Sequence, residues 1–241
     1  MSNSIQIIPV ANLALAFIPV AIVLIIMYRW ATGYRRGIYA VTRMLLQLIL
    51  IGYVLTYIFA AENAIIVILV LCIMLAASSW IAMTPVIDKD RRLYLYTLLA
   101  VSIGGVSTLA LITQAVLALN PWFLPRYLIP LAGMIFANSM NAISLAAERL
   151  ESELRNGMQY ETARHTALNA ALIPQLNALF AVGLVSLPGM MTGQILSGIS
   201  PLIAVRYQIM VMCMIFGAAG ISAASYLYLH GRYYQTHQAN G

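Results

Sequence analysis

The chain has 241 residues, 62% of them hydrophobic and 8% charged, with a formal net charge of +6. A soluble domain carries about 25% charged residues, so this composition excludes a soluble enzyme or binding module and indicates an integral membrane protein. The apolar runs far exceed the roughly ten-residue alternating strands of an outer-membrane barrel, which leaves an all-α polytopic fold.

A helix needs about 20 mainly apolar residues to cross a bilayer. Seven runs qualify: 8–28, 41–60, 64–83, 93–118, 127–147, 172–197 and 203–229. The first has no basic start and is followed by Arg29, Arg35 and Arg36. That is the reverse of a secretory signal, so it is expected to stay as a first span. Alternate loops then collect eleven of the thirteen basic residues: Arg29, Arg35, Arg36 and Arg43, then Lys89, Arg91 and Arg92, then Arg149, Arg155 and Arg164, and finally Arg232. Arg126 and Arg206 fall on the other side. By the positive-inside rule the N-terminus is expected outside and the C-terminus in the cytoplasm. The basic residues lie in short loops and form no stripe with interleaved aromatics, so no nucleic-acid partner is expected.

All seven acidic residues, Glu62, Asp88, Asp90, Glu148, Glu151, Glu153 and Glu161, fall in loops or at span ends. Ion-coupled carriers usually keep such groups inside the membrane, which weakens a secondary-transporter reading. Uncharged polar groups do enter the spans: Gln47 in the second, Asn138 and Asn141 in the fifth, and Gln175, Asn177 and Gln194 in the sixth. Asn138 and Asn141 share a helix face, with Met134 and Met140 nearby and Met190 and Met191 in the sixth span. Two readings stand. One is interhelical hydrogen bonding with methionine as adaptable packing. The other is a polar, sulfur-bearing path for a solute or soft metal, to which iron(II) is a poorer match than copper(I).

Between the fifth and sixth spans, residues 148–170 form the one sizeable segment outside the membrane, on the expected cytoplasmic side. Its start continues the fifth span as helix, with Glu151 and Arg155 at i,i+4. Asn156-Gly157 signals a stop. A second helix over 159–170, with Glu161 and His165 at i,i+4, leads into the sixth span. The result is a helical elbow with apolar Leu150, Leu154, Met158 and Leu168, either a solvated connector or a docking element.

The stretch the chain is organised around is 171–201. It is long enough to cross, yet Pro174 lies near its start and Ser186-Leu187-Pro188-Gly189-Met190-Met191 lies inside it. Within a helix, Pro188 would collide with the Leu184 carbonyl and free it. Broken helices at membrane depth survive where protein buries them or water reaches them. Pro188-Gly189, beside Ser186 and Thr192, is therefore either a packing kink or part of a pathway.

No GxxxxGK[ST], HExxH or GxSxG motif occurs, so the chain is expected to be no enzyme and to bind no ATP through a phosphate loop. His165, His230 and His237 are scattered, each expected to be solvated. Cys72 and Cys213 have no close metal-ligand spacing. No disulfide is expected.

Ala171-Leu172-Ile173-Pro174, Val182-Gly183-Leu184-Val185-Ser186-Leu187-Pro188-Gly189-Met190-Met191, then Gly193, Gly198, Ile199, Pro201 and Tyr207-Gln208-Ile209-Met210-Val211 closely resemble the iron-export ABC transporter permease family. These are the Fet-type bacterial permeases, related to plant membrane proteins of aluminium tolerance. Gln47-Leu48-Ile49 with Ile51-Gly52-Tyr53-Val54-Leu55 resembles the family's second span. Ile129-Pro130-Leu131-Ala132-Gly133-Met134-Ile135 with Asn138 and Met140 resembles its fifth.

The resemblance implies one permease domain over residues 1–241 in the plasma membrane, as in a bacterial inner membrane. It implies a separate cytoplasmic ABC ATPase that carries ATP-Mg, a second copy of this chain, a lipid surround and no cofactor bound here. Alternating access would export iron or a related metal, with a sugar nucleotide or other organic solute as the second cargo. An ATPase-independent channel or scaffold is the alternative from another class. The pathway residues it points to are Gln47, Met134, Asn138, Met140, Asn141, Ser186, Pro188, Gly189, Met190 and Met191. The elbow residues for ATPase docking are Glu153, Arg155, Gly157, Glu161 and Arg164. Two departures from the family pattern are a stretch from Gly157 to Pro174 about one turn shorter and Ala137 in place of a glycine.

Overall fold

The computed structural model describes residues 8–60, 63–86 and 90–238, apart from the side chains of residues 60, 233 and 235–238. Glu62, Asp88 and Lys89, and the side chain of His237, lie outside the described residues. Every named element is helical, and the protein is an all-α integral membrane protein. It divides into two units, Met1–Ala61 and Glu62–Gly241.

The first unit is a helical hairpin of α1 (Val10–Arg29) and α2 (Tyr34–Ala60). The reversal uses positive φ at Ala31 and Gly33, and Tyr28 meets Tyr34 edge to face with centroids 5.1 Å apart. Gly37 gives α2 its approach to α1, since a Cβ there would come within 2.8 Å of Leu24.

The second unit holds α3 (Ala64–Ala82), α4 (Arg91–Val116), α5 (Pro125–Arg155), α6 (Tyr160–Ala181), α7 (Gly189–Leu196) and α8 (Pro201–Gln238). α5 packs against α3, α6 and α8. Both helices of the α5–α8 seam bury alanines completely, Ala132, Ala142 and Ala146 on α5 and Ala218, Ala219 and Ala223 on α8. Small side chains let membrane helices approach closely, where packing rather than hydrophobicity drives association. Ser222 donates to Ser139 across the seam at 3.1 Å. α4 enters the same core through two π-helical stretches, Ser102–Val106 and Leu111–Val116. A Cβ on Gly104 would lie 2.6 Å from the Ser222 backbone nitrogen, so no larger residue fits there.

Among the described residues, six helices are long and apolar enough to cross a bilayer. The expected sixth crossing, 172–197, is not one helix. α6 carries Pro174 internally and stops at Ala181. The Ala181 carbonyl then accepts from the amides of Val185 (2.8 Å) and Ser186 (3.1 Å), and the Gly183 amide closes the turn onto the Ser186 carbonyl (2.9 Å). Gly183 takes φ +84°, a left-handed conformation that glycine adopts without steric cost. Pro188 caps α7 in extended conformation (φ −61°, ψ 149°). The collision expected between Pro188 and the Leu184 carbonyl therefore does not arise, because the chain leaves the helix six residues before the proline. α7 ends at a second left-handed glycine, Gly198 (φ +89°). It is thus an eight-residue helix held between two glycine turns.

The broken segment runs antiparallel to α8. Tyr160, at the start of α6, lies against Gly231, Leu172 lies against Gly220, and Met191 of α7 meets α8 near Val205.

Candidate functional site

Two cavities border α7. The first, of about 330 Å³, lies among α5, α7 and α8 and is lined by Met134, Met190 and Met210, with Arg126, Tyr127 and Tyr207. Met134 and Met210 stand nine residues along helices that begin at Pro125 and Pro201, about 14 Å from those ends. Three thioethers from three helices therefore converge, with a guanidinium and two phenols nearer the helix starts. The second cavity, of about 340 Å³, lies between the turn, α7 and α8 and is lined by Met191, Gln208, Met212 and Cys213.

The cavity beside α5 unites two of the residues singled out from sequence, Met134 and Met190. The Asn138 amide donates to the Met134 carbonyl of its own helix at 2.8 Å. Asn141 is exposed, and Met140 packs against the core. Gln47 is exposed on α2 in the first unit. Ser186 is an exposed turn residue whose backbone closes the break. Gly189 opens α7, and a side chain added there would meet nothing within 4 Å. The glycine the break requires is Gly183. Arg126, Tyr207 and Met210 were not singled out as site residues. Equal depth from Pro125 and Pro201 on α5 and α8 is the signal that pairs Met210 with Met134.

At the other end of α5 the chain turns into α6. α5 continues to Arg155, Asn156 caps it, and Gly157 turns with φ +81°. Arg155 pairs with Glu151 at 2.9 Å and Arg149 with Glu153 at 2.5 Å. Glu161 pairs with Arg164 at 2.5 Å and not with His165, because i,i+3 neighbours on a helix face each other as well as i,i+4 neighbours do. Glu153 is buried (7% exposed), so it faces the core side of the elbow. Leu154, Met158 and Leu168 pack against the core as well. Arg155 lines a polar cleft with Glu148, Glu151 and Asn156.

Tyr160 fastens the elbow to α8. Its hydroxyl donates to the Leu227 carbonyl at 2.6 Å, and its ring stacks on His230 and Tyr234. Burial pushes this hydroxyl well above its ordinary range, so it remains a donor. His230 is thus not the solvated side chain expected: it lies between Tyr160 and Tyr226. His165 is exposed. Both cysteines are free thiols. No group of three or more His, Cys, Asp or Glu side chains converges among the described residues.

Residues 10–163 and 156–234 match the model of UPF0014, described as an uncharacterised protein family. The chain is similar to the UPF0014 membrane protein slr1647 of Synechocystis, with 37% identity over 81% of this chain and 82% of the relative. It is also similar to the probable iron export permease protein FetB of Escherichia coli (33% identity, 94% and 93%). A plant relative is the protein ALUMINUM SENSITIVE 3 of Arabidopsis thaliana (35% identity, 80% and 74%). No solved structure matches.

Proposed function

The chain belongs to the UPF0014 family of multi-pass membrane proteins, and we propose that it is the permease subunit of an ABC exporter moving a metal ion, iron first, across the plasma membrane. The observation that carries this reading is the cavity where Met190 of the broken segment meets Met134 and Met210. α7 sits between two left-handed glycines, so it can turn as a unit and carry Met190 with it. The turn before it supports a pathway too. The carbonyls of Val182, Gly183, Leu184 and Val185 accept no hydrogen bond among the described residues. At membrane depth such groups need water or another protein surface.

Iron enters through the name of FetB. Thioether sulfur binds softer ions more strongly than iron(II), which suits a cargo that must leave again. Without a phosphate loop of its own, the chain relies on a partner ATPase carrying ATP-Mg. The elbow, cytoplasmic under the positive-inside reading, is the docking surface, with Arg155, Gly157, Glu161 and Arg164 outward and Glu153 inside. Tyr160 then passes elbow motion to α8. Two copies of the chain complete the transporter.

Arg126, Tyr127 and Tyr207 at the same cavity favour a second reading, an anionic organic solute such as a sugar nucleotide. Arginine recognises phosphate bidentately, and the phenols offer stacking faces. The test is co-expression with a candidate ATPase, native mass spectrometry of the complex, and ATP-driven accumulation of iron(II) in inside-out vesicles. A two-plus-two complex that accumulates iron supports the proposal. A chain that purifies without an ATPase, and vesicles that take up no metal, contradict it.

A further inference from the structure

We propose that the reversal between α1 and α2 binds the phosphates of anionic phospholipids. Residues 1–61 contain the basic side chains Arg29, Arg35, Arg36 and Arg43 and no acidic one. All four arginines are exposed. Among the described residues none of them enters an ion pair. The Arg35 Nε reaches only the Tyr34 hydroxyl, at 3.5 Å. The positive charge of this unit is therefore left for a partner outside the chain to balance.

Helix length sets the depth of that charge. α1 spans 20 residues, about 30 Å, which matches the hydrocarbon core and puts Arg29, its last residue, at the boundary. α2 has 27 residues, about 40 Å, and is too long for the core. Its uncharged part, residues 44–60, accounts for about 25 Å. The first turns of α2 therefore stand among the headgroups. Arg36 and Arg43 are seven residues apart and share a face. Arg43, nearest the core, can extend its charged head outward along an apolar stem. Tyr28, Trp30 and Tyr39 are exposed at the same level, where aromatic rings settle in a membrane. Guanidinium groups hold phosphate bidentately, and basic clusters beside a spanning helix attract anionic lipid. Arginines and aromatic rings at one depth fit a lipid better than a soluble anion or the ATPase, whose docking elbow lies in the second unit. Lipid binding requires no transport activity and is independent of the cargo.

The chain has three tryptophans, so Trp80→Phe with Trp122→Phe leaves Trp30, at the reversal, as the reporter. The full-length chain is reconstituted in phosphatidylcholine vesicles that hold either brominated phosphatidylglycerol or brominated phosphatidylcholine at the same fraction. Bromine quenches tryptophan on contact. The anionic lipid should bind beside Trp30 with about threefold or more the affinity of the neutral one, and high salt should reduce the excess. Arg35→Gln with Arg36→Gln should remove most of the excess. Arg35→Lys with Arg36→Lys should keep most of it, because lysine also binds phosphate, as a point charge; this pair separates charge from insertion. Arg206→Gln should leave the excess unchanged. Equal quenching by the two lipids would overturn the proposal. So would an excess abolished by inorganic phosphate at constant ionic strength, which would mean a soluble anion. An excess that survives the glutamine pair, while that pair lowers ATPase recovery, would assign the arginines to the ATPase instead.

Discussion

Met190 and Met191 are adjacent in the chain and line different cavities, Met190 the one against α5 and Met191 the one against the turn after α6. The division follows from the helix: successive side chains on α7 are about 100° apart, so neighbours face different partners. A role for the pair must therefore be tested one residue at a time.

Met134→Leu, Met190→Leu and Met210→Leu should each reduce metal transport while the protein still folds. Leucine and methionine have similar volumes, and such swaps usually cost less than about 1.5 kcal/mol. The check is transport per inserted molecule, with thermal unfolding measured in parallel.

Gly183→Ala and Gly198→Ala should destabilise by about 1 kcal/mol each, because both positions hold left-handed backbone. Neither added methyl meets an atom within 4 Å, so the effect would come from the backbone alone. Gly189→Ala should be neutral or slightly stabilising, since Gly189 is not left-handed and has the same open space. Transport should follow the same order. Thermal melts and vesicle assays on the three variants decide it.

Gly104→Ala should cost about 1–3 kcal/mol, the usual range for overpacking. The added methyl would be driven into the backbone of α8 at Ala218 and Ser222. A lowered melting temperature with unchanged membrane insertion is the expected result.

Arg155→Ala and Arg164→Ala should change stability by less than about 1 kcal/mol, as exposed ion pairs contribute little. Both should lower the amount of ATPase recovered with the permease. Glu153→Ala should instead lower stability more than recovery, because Glu153 is buried beside Arg149. Comparing melts with pull-down yields separates docking from folding.

Tyr160→Phe should remove the 2.6 Å bond to Leu227 and destabilise by about 1 kcal/mol. If the Tyr160 contact carries elbow motion to α8, ATP hydrolysis should persist with less transport per ATP. Equal transport per ATP in wild type and variant would assign Tyr160 to folding alone.

Much of the fold was legible because length and hydropathy alone decide what crosses a membrane. The turn after α5 was legible too, since Asn156-Gly157 carries its own turn chemistry. The break was visible at Pro188-Gly189, where α7 begins, but its start was not, as proline is the louder signal. The chain in fact turns at Gly183, where only the positive φ reveals it. The cavity was half visible. Met134 and Met190 stood out by residue type, whereas Met210, Arg126 and Tyr207 join them only through the packing of α5 against α8. The Asn138 bond to the Met134 carbonyl, four residues back on its own helix, is a local partner that residue type alone does not rank above a distant one.

The most direct measurement is ATP hydrolysis by the permease–ATPase complex in lipid vesicles, titrated with iron(II) and separately with a sugar nucleotide, for wild type, Met190→Leu and Arg126→Gln. Metal export through the cavity beside α5 predicts stimulation by iron(II) that Met190→Leu abolishes and Arg126→Gln leaves in place. Stimulation by the sugar nucleotide alone, lost in Arg126→Gln, would contradict it.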